Sequence, residues 1–361
     1  MKVQFADLLF ATVVPAPPPP STSSAAPSTT SAPPAPTSTS TSSKAAEYTP
    51  PVVKAYVEKE KPKPAAPKPA APKPETPKAP SNGGGYSVGG TGNHWAITYS
   101  PYQGDGNGGS RCKTKEEVDS DVAGLAGKGF KTLRIYATDC DHLPHVGGAA
   151  KAHGLKLIVG IFIKETGICQ DTYDQLNDIK GYFSGDYSIV EAVLIGNEAI
   201  FNGFVSASSL ADFIGKAKQT LKGDGYAGPV STADTVAAIQ ANGATLCPVI
   251  DIVAANIHPF FNGAVLPSAA GDFMKTQMDI LGKVCGGSKP VISSETGWPH
   301  GGPNHGSSSA DYSSQAVAIK SLLSLPNSNK IVFFADSDDL WKAGGSKDSN
   351  EPWFGCGKLF S

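Results

Sequence analysis

Beyond Gly92 the chain alternates short apolar runs with longer helix-like stretches, and the apolar run recurs eight times. The runs occupy residues 95–99, 132–136, 155–162, 189–195, 230–232, 252–258, 290–294 and 331–335. Between them, 116–128, 171–183, 206–222, 269–284 and 310–323 carry helical character. The runs are apolar throughout rather than alternately polar, which suits parallel strands buried on both faces. Eight such strands with intervening helices, over about 250 residues, predict a (β/α)8 (TIM) barrel. A doubly wound open sheet is the competing architecture. The glycine-rich stretch at 104–109 does not open a helix after an early strand, so a dinucleotide site is not expected.

The first ninety-odd residues cannot belong to that barrel. All four Trp, seven His and six Cys follow Gly92, whereas nineteen of the 30 Pro precede it. Such a segment cannot bury a core. Residues 1–16 read as an imperfect signal peptide: a minimal basic start, then a short apolar run with Asp7 inside it. Residues 17–92 read as a disordered linker, with the Ser/Thr/Pro/Ala composition of an O-glycosylated stalk followed by Lys-Pro repeats that favour extended polyproline II. A stalk and a leader clipped on secretion both fit. Residues 93–361 are then one globular domain. No later run reaches the length of a transmembrane helix, so no membrane span is expected. A formal net charge of −2 argues against nucleic acid or other polyanions as partners.

Two of the apolar runs end in a glutamate. Ala192-Val193-Leu194-Ile195-Gly196-Asn197 leads into Glu198, and Pro290-Val291-Ile292-Ser293-Ser294 leads into Glu295. In a barrel these are the carboxyl ends of strands 4 and 7, and active sites of such barrels lie on that face. Two carboxylates converging on one cleft suit cleavage of a sugar bond, which needs one acid and one base or nucleophile. No metal or cofactor is expected. There is no Cys-x-x-Cys pair, no two His share a strand or helix face, and His142 and His145 read as surface residues of a loop.

Five motifs occur in order: Ile97-Thr98-Tyr99-Ser100-Pro101-Tyr102, Leu133-Arg134-Ile135-Tyr136, Ile195-Gly196-Asn197-Glu198, Ala255-Asn256-Ile257-His258-Pro259-Phe260-Phe261 and Glu295-Thr296-Gly297-Trp298-Pro299. Together they resemble glycoside hydrolase family 17, the β-1,3-glucanases and in particular the fungal cell-wall glucanases and glucan-remodelling enzymes. The resemblance spans roughly residues 94–356. It implies a retaining enzyme on a (β/α)8 barrel, secreted to a fungal cell wall, acting as a monomer on β-1,3-glucan by hydrolysis or by transfer. It implies Glu198 as general acid/base, Glu295 as nucleophile, and Asn197 as the partner of the sugar 2-hydroxyl.

Around the two glutamates, Tyr102, Tyr136, Asn256, His258 and Phe260 fall at strand ends and are expected to line the cleft. Trp298 is expected to stack on a pyranose face. Arg134, inside strand 2, needs a carboxylate partner in a barrel interior. The eighth strand departs from the family: Ala335 stands where Glu is usual and Ser337 where an aromatic is usual. Asp339, Lys342 and the closing Glu351 keep the family pattern there and join the expected substrate-binding set. A non-catalytic glucan-binding wall protein on the same barrel is the alternative function, although a binder gains nothing from two converging carboxylates.

Six cysteines allow 15 pairings. Cys112, Cys140, Cys169 and Cys356 follow strands 1, 2, 3 and 8, so they belong on the catalytic face. Cys247 and Cys285 precede strands 6 and 7, so they belong at the opposite end. The two sets cannot meet within disulfide reach. Cys247–Cys285 is therefore the most secure pair, and Cys112–Cys140 is favoured among the other four because strands 1 and 2 are neighbours.

Overall fold

In a computed structural model, which describes residues 86–90, 92–105, 109–342 and 349–361, eight parallel strands close into a barrel. They are β1 (Ala96–Thr98), β2 (Thr132–Arg134), β3 (Lys156–Ile161), β4 (Val190–Asn197), β5 (Val230–Thr235), β6 (Val253–Asn256), β7 (Val291–Thr296) and β8 (Ile331–Phe333). Sequence neighbours pair in parallel all the way round, and β8 closes on β1. Each expected strand is present, and the open sheet is excluded. The signal-peptide and stalk readings, apart from the linker's last residues, lie outside the described residues.

The all-apolar strands have a simple cause. Their side chains alternate between two clusters. One set, including Leu133, Val159, Val193, Ile195 and Val253, packs with helix residues such as Val122, Ile179, Ile214 and Met274. The other set, Ala96, Ile158, Ala192, Leu194, Ala233, Ile252, Ala254, Ile292 and Val332, contains no helix residue and fills the lower barrel interior. Several of these are Ala, and the space they leave is occupied by the indole of Trp95. The Trp95 indole N–H donates to Glu191 Oε1 at 3.2 Å. Val88 and Tyr86 pack on the same cluster, so residues 86–90 belong to the barrel rather than to the linker that the sequence assigned to 17–92.

Long amphipathic helices cover the outside. Lys115–Gly127 starts with a capping box between Thr114 and Glu117. Ala207–Gly223 starts on Ser206, and Tyr312–Leu323 on Asp311, each side chain accepting a backbone N–H of the first turn. A hairpin of Tyr102–Gly104 with Ser110–Cys112 rises after β1 over the catalytic face; composition gave it no signal because its strands are short and largely exposed.

Both expected disulfides are present. Cys247–Cys285 lies at the amino-terminal end of the barrel, and Cys112–Cys140 ties the hairpin to the loop after β2, each with Cα atoms 5.3 Å apart. Cys169 and Cys356 are free thiols. His142 is buried beneath the hairpin with its ring 5.6 Å from Tyr102, which corrects its reading as a surface residue.

Candidate active site

The upper barrel interior is polar where the lower is apolar. Arg134 is the last residue of β2, Asn197 of β4 and Asn256 of β6, while Glu295 is next to last in β7. Glu198 follows β4 directly.

Two irregularities aim the glutamates. Between β4 and β5 the register runs Leu194↔Ser231 and then Asn197↔Ala233, so β4 carries one extra residue just before Glu198. Between β6 and β7 it runs Ala255↔Ser293 and then Asn256↔Glu295, so β7 carries one extra residue just before Glu295. Such bulges re-aim side chains next to active sites. The β4 bulge needs Gly196, whose φ is +78° and whose missing Cβ faces the Ala199 and Ile163 side chains. Glu198 itself sits at φ +53°, an uncommon backbone state for a residue with a side chain.

Glu295 is 5% exposed and surrounded by donors. Its Oε1 accepts from Arg134 Nη1 at 2.7 Å and from the Tyr136 hydroxyl at 2.8 Å. His258 Nε2 lies 3.3 Å from Oε2. Burial pushes this carboxyl up, but the Arg134 guanidinium, with His258 and Tyr136, outweighs it and holds the group at about 2. The partner that Arg134 required is thus Glu295. Arg134 also donates to the Ser294 carbonyl at 2.7 Å and to Asn197 Oδ1 at 2.8 Å, which satisfies a guanidinium that is only 2% exposed.

Glu198 has the opposite surroundings. Its Oε1 accepts from Asn256 Nδ2 at 2.9 Å. Burial, then the negative charge of Glu295, push its carboxyl up to about 8, against the Asn256 hydrogen bond; Asp234 and Glu351 add to the rise. Asn256 Nδ2 also reaches Asn197 Oδ1 at 3.0 Å, and its Oδ1 receives Ser294 Oγ at 2.8 Å. One polar lattice therefore joins the two carboxyls through Asn256, Asn197 and Arg134. Two carboxyls in one lattice, Glu295 buried and Glu198 half-buried, are pushed to opposite sides of neutral pH, one towards the ionised and one towards the protonated form, which is the condition for paired acid and nucleophile chemistry.

The remaining expected site residues divide. Tyr136 and His258 bind Glu295 directly. Tyr102 stands further out: its hydroxyl donates to Asp139 Oδ1 at 2.7 Å and its ring lies 4.9 Å from Trp341. Lys342 Nζ pairs with Asp339 Oδ2 at 2.9 Å and lies 3.9 Å from Glu351 Oε2, on the β8 side of the face. Burial alone lowers the Lys342 ammonium, but Asp339, Glu351 and Glu295 together keep it raised, so it stays charged. Ala335, at the departing position, packs in a small apolar cluster with Phe334 and Phe354.

Phe260 and Trp298 correct the sequence reading. Both are 0% exposed and pack against each other at 5.4 Å, and the Trp298 indole N–H donates to the Ser309 carbonyl. A fully enclosed ring has no face to offer a sugar, so these two motif residues build the wall behind the site. Next to them Gly297 permits close approach of β8: a Cβ there would meet the Phe334 carbonyl oxygen at 2.2 Å. Sequence reading missed Asp234, a buried carboxyl on β5 pushed up to about 6 by burial, against three backbone N–H groups. The signal was available: Val230-Ser231-Thr232-Ala233-Asp234 is a third strand ending in a carboxylate. Among the described residues no group of three or more His, Cys, Asp or Glu is placed to hold a metal ion.

A closed (β/α)8 barrel with two environment-split glutamates at the ends of β4 and β7 defines a glycoside hydrolase domain. The chain belongs to the family described as the BtgE/BtgC glycoside hydrolase domain, whose model matches residues 96–355. It is 43% identical over 274 residues to a Neosartorya fischeri protein named "Probable beta-glucosidase btgE", covering 76% of this chain and 48% of that one. The chain thus spans about half the length of the curated relatives it matches. Among solved structures it resembles the glycoside hydrolase family 17 β-1,3-glucanosyltransferase from Rhizomucor miehei, with a TM-score of 0.61 and 23% identity over 73% of this chain and 92% of that chain. An active-site mutant of that enzyme has been solved with laminaritriose (TM-score 0.62, 22% identity, with the same coverage of both chains). An endo-laminarinase from Formosa has a TM-score of 0.63 at 19% identity, over 73% of this chain and 82% of that chain. At these identities the structures share the fold.

Proposed function

We propose that this chain is a retaining glycosidase acting on β-1,3-glucan, with Glu295 as nucleophile and Glu198 as general acid/base. The observation that carries the reading is the contrast in partners: Glu295 accepts from Arg134 and Tyr136, which with His258 hold it at about 2 against burial, whereas burial and the Glu295 charge push Glu198 up to about 8 against its hydrogen bond from Asn256. Glu295, ionised, attacks the anomeric carbon. As the glycosidic bond breaks, Glu198 gives its proton to the departing oxygen. Water or a sugar hydroxyl then attacks the glycosyl-enzyme, and Glu198, now a carboxylate, takes its proton. Asn197, held by Arg134 and Asn256, faces the same lattice and is the partner for the sugar 2-hydroxyl.

The glucan is supported by the Rhizomucor β-1,3-glucanosyltransferase and the Formosa endo-laminarinase, which differ in whether transfer or endo-cleavage follows. The relatives' β-glucosidase name adds release of terminal glucose as a third outcome. A non-catalytic wall protein is disfavoured, because a binding surface has no use for one buried carboxyl kept ionised beside another kept protonated. Two disulfides support an oxidising, extracellular compartment. The fungal relatives and the Ser/Thr/Pro-rich segment before the barrel support a cell-wall location.

Time-resolved product analysis on linear β-1,3-oligosaccharides tests the reading. Shortened products report hydrolysis, and lengthened ones report transfer. Retained binding with no turnover of any β-1,3-glucan would return the protein to the binding class.

A further inference from the structure

The backbone around Glu198 is unusual: Asn202 Nδ2 donates to the Glu198 carbonyl at 2.9 Å, and one side chain from the next strand holds the N–H groups of the turn that follows. Glu198 sits at φ +53° after the β4 bulge, and its own N–H donates to the Ala233 carbonyl at 2.9 Å. The next residue of β5 is Asp234, with 0% exposure. Its Oδ2 accepts the N–H of Ile200 at 2.9 Å and of Phe201 at 3.4 Å, the two residues that turn the chain after Glu198. Its Oδ1 accepts the N–H of Thr235 at 2.8 Å, which orients the carboxylate. A buried carboxyl is costly unless its oxygens are paired, and here two of its three backbone partners belong to the turn carrying Glu198.

We infer that Asp234 is a positioning residue that clamps the turn after β4 and fixes the direction of the Glu198 side chain. This rests on the reading of Glu198 as the proton donor. Asp234 touches neither Glu198's carboxyl nor Glu295 through any hydrogen bond, so it acts on proton transfer only through the backbone it holds and the charge it carries. Without the clamp the acid reaches the leaving oxygen less often, and formation of the glycosyl-enzyme slows only for bonds that need protonation.

The test is leaving-group dependence. Wild type, Asp234→Asn and Glu198→Ala are compared on laminaripentaose and on a dinitrophenyl β-glycoside of laminaribiose, whose phenolate departs without a proton. Asp234→Asn cannot accept all three N–H groups, because its amide NH2 must face either Thr235 or the Ile200 and Phe201 pair that shares Oδ2, and the bonds its oxygen keeps lose their charge assistance. We expect kcat on the pentaose to fall on the order of 10- to 100-fold with KM little changed, and glycosyl-enzyme formation from the aryl glycoside to keep nearly its wild-type rate. An equal fall on both substrates would mean a general structural defect and would overturn the clamp. If Glu198→Ala itself lost both substrates equally, the acid assignment would fail, and the clamp with it. Should Asp234→Asn not fold, amide exchange of the wild type decides. Protection of the Ile200 and Phe201 N–H groups to the level of the barrel strands supports the clamp, and exchange at loop rates overturns it.

Discussion

Glu295 and Glu198 are the same amino acid at equivalent places in the barrel, each after a bulge at a strand end, yet their surroundings have opposite character. Around Glu295, β2 and β6 supply a guanidinium, a phenol and an imidazole. Around Glu198, β6 supplies a single amide, and the nearest charges are negative: Glu295, Asp234 and Glu351. Burial raises both carboxyls; what separates them is which neighbours offset it. The lesson is that role follows environment, since neither residue type nor strand position distinguishes the two.

The largest expected effect comes from removing the ionised member. Glu295→Gln should lower kcat by more than about 10⁴-fold, because an amide cannot replace the attacking carboxylate; single-turnover kinetics with trapping of the glycosyl-enzyme measures it. Glu198→Gln should cost less, about 10²- to 10⁴-fold on oligosaccharides. Azide should partly restore Glu198→Ala on an activated glycoside, since that anion attacks the intermediate without a general base. Near-wild-type turnover by Glu198→Gln would mean that Glu198 is not the acid.

The contrast can also be weakened from the Glu295 side without touching either acid. Arg134→Met leaves Glu295 buried without its cation, and should cost about 3–5 kcal/mol of stability in denaturant unfolding. Because Arg134 holds Glu295 below its ordinary range, its loss should also move the acid limb of the kcat/KM profile to higher pH. An acid limb that stayed in place would show that His258 and Tyr136 suffice.

The smallest effect concerns stability. Glu198 binds its proton more tightly folded than unfolded, so its contribution is fully present below pH ~4.5 and is lost as pH rises through about 8. Glu198→Gln keeps a neutral side chain at every pH. It should melt a few degrees (roughly 2–5 °C) above wild type at pH 8 and at the same temperature at pH 4. Equal melting temperatures at both pH values would mean that Glu198 is not held protonated.

Much of this contrast could be foreseen. The eight strands were legible because a parallel barrel buries both faces and writes itself as apolar runs. The two glutamates were legible because each interrupts such a run. Arg134 was legible as a cation in need of a partner, though not which one. The hairpin at 102–112 was not, because its strands are too short and exposed to leave a pattern. Trp298 and Phe260 stood in motifs next to the chemistry, and proximity in sequence suggested contact with substrate; packing instead turns both rings into the wall. The bulges, and with them the positive φ at Glu198, depend on register between strands far apart in sequence, which no local pattern records. Asp234 was overlooked because its partners are backbone N–H groups, which every sequence has.

The direct test of the central claim is the anomeric configuration of the first product. With Glu295 bonding to the anomeric carbon, two inversions follow and the configuration is kept. Proton NMR of laminaripentaose cleavage, recorded before mutarotation, should show the β-anomer of the newly formed reducing end rising first. An α-anomer appearing first would mean that water attacks directly, and that Glu295 serves as a base rather than as a nucleophile.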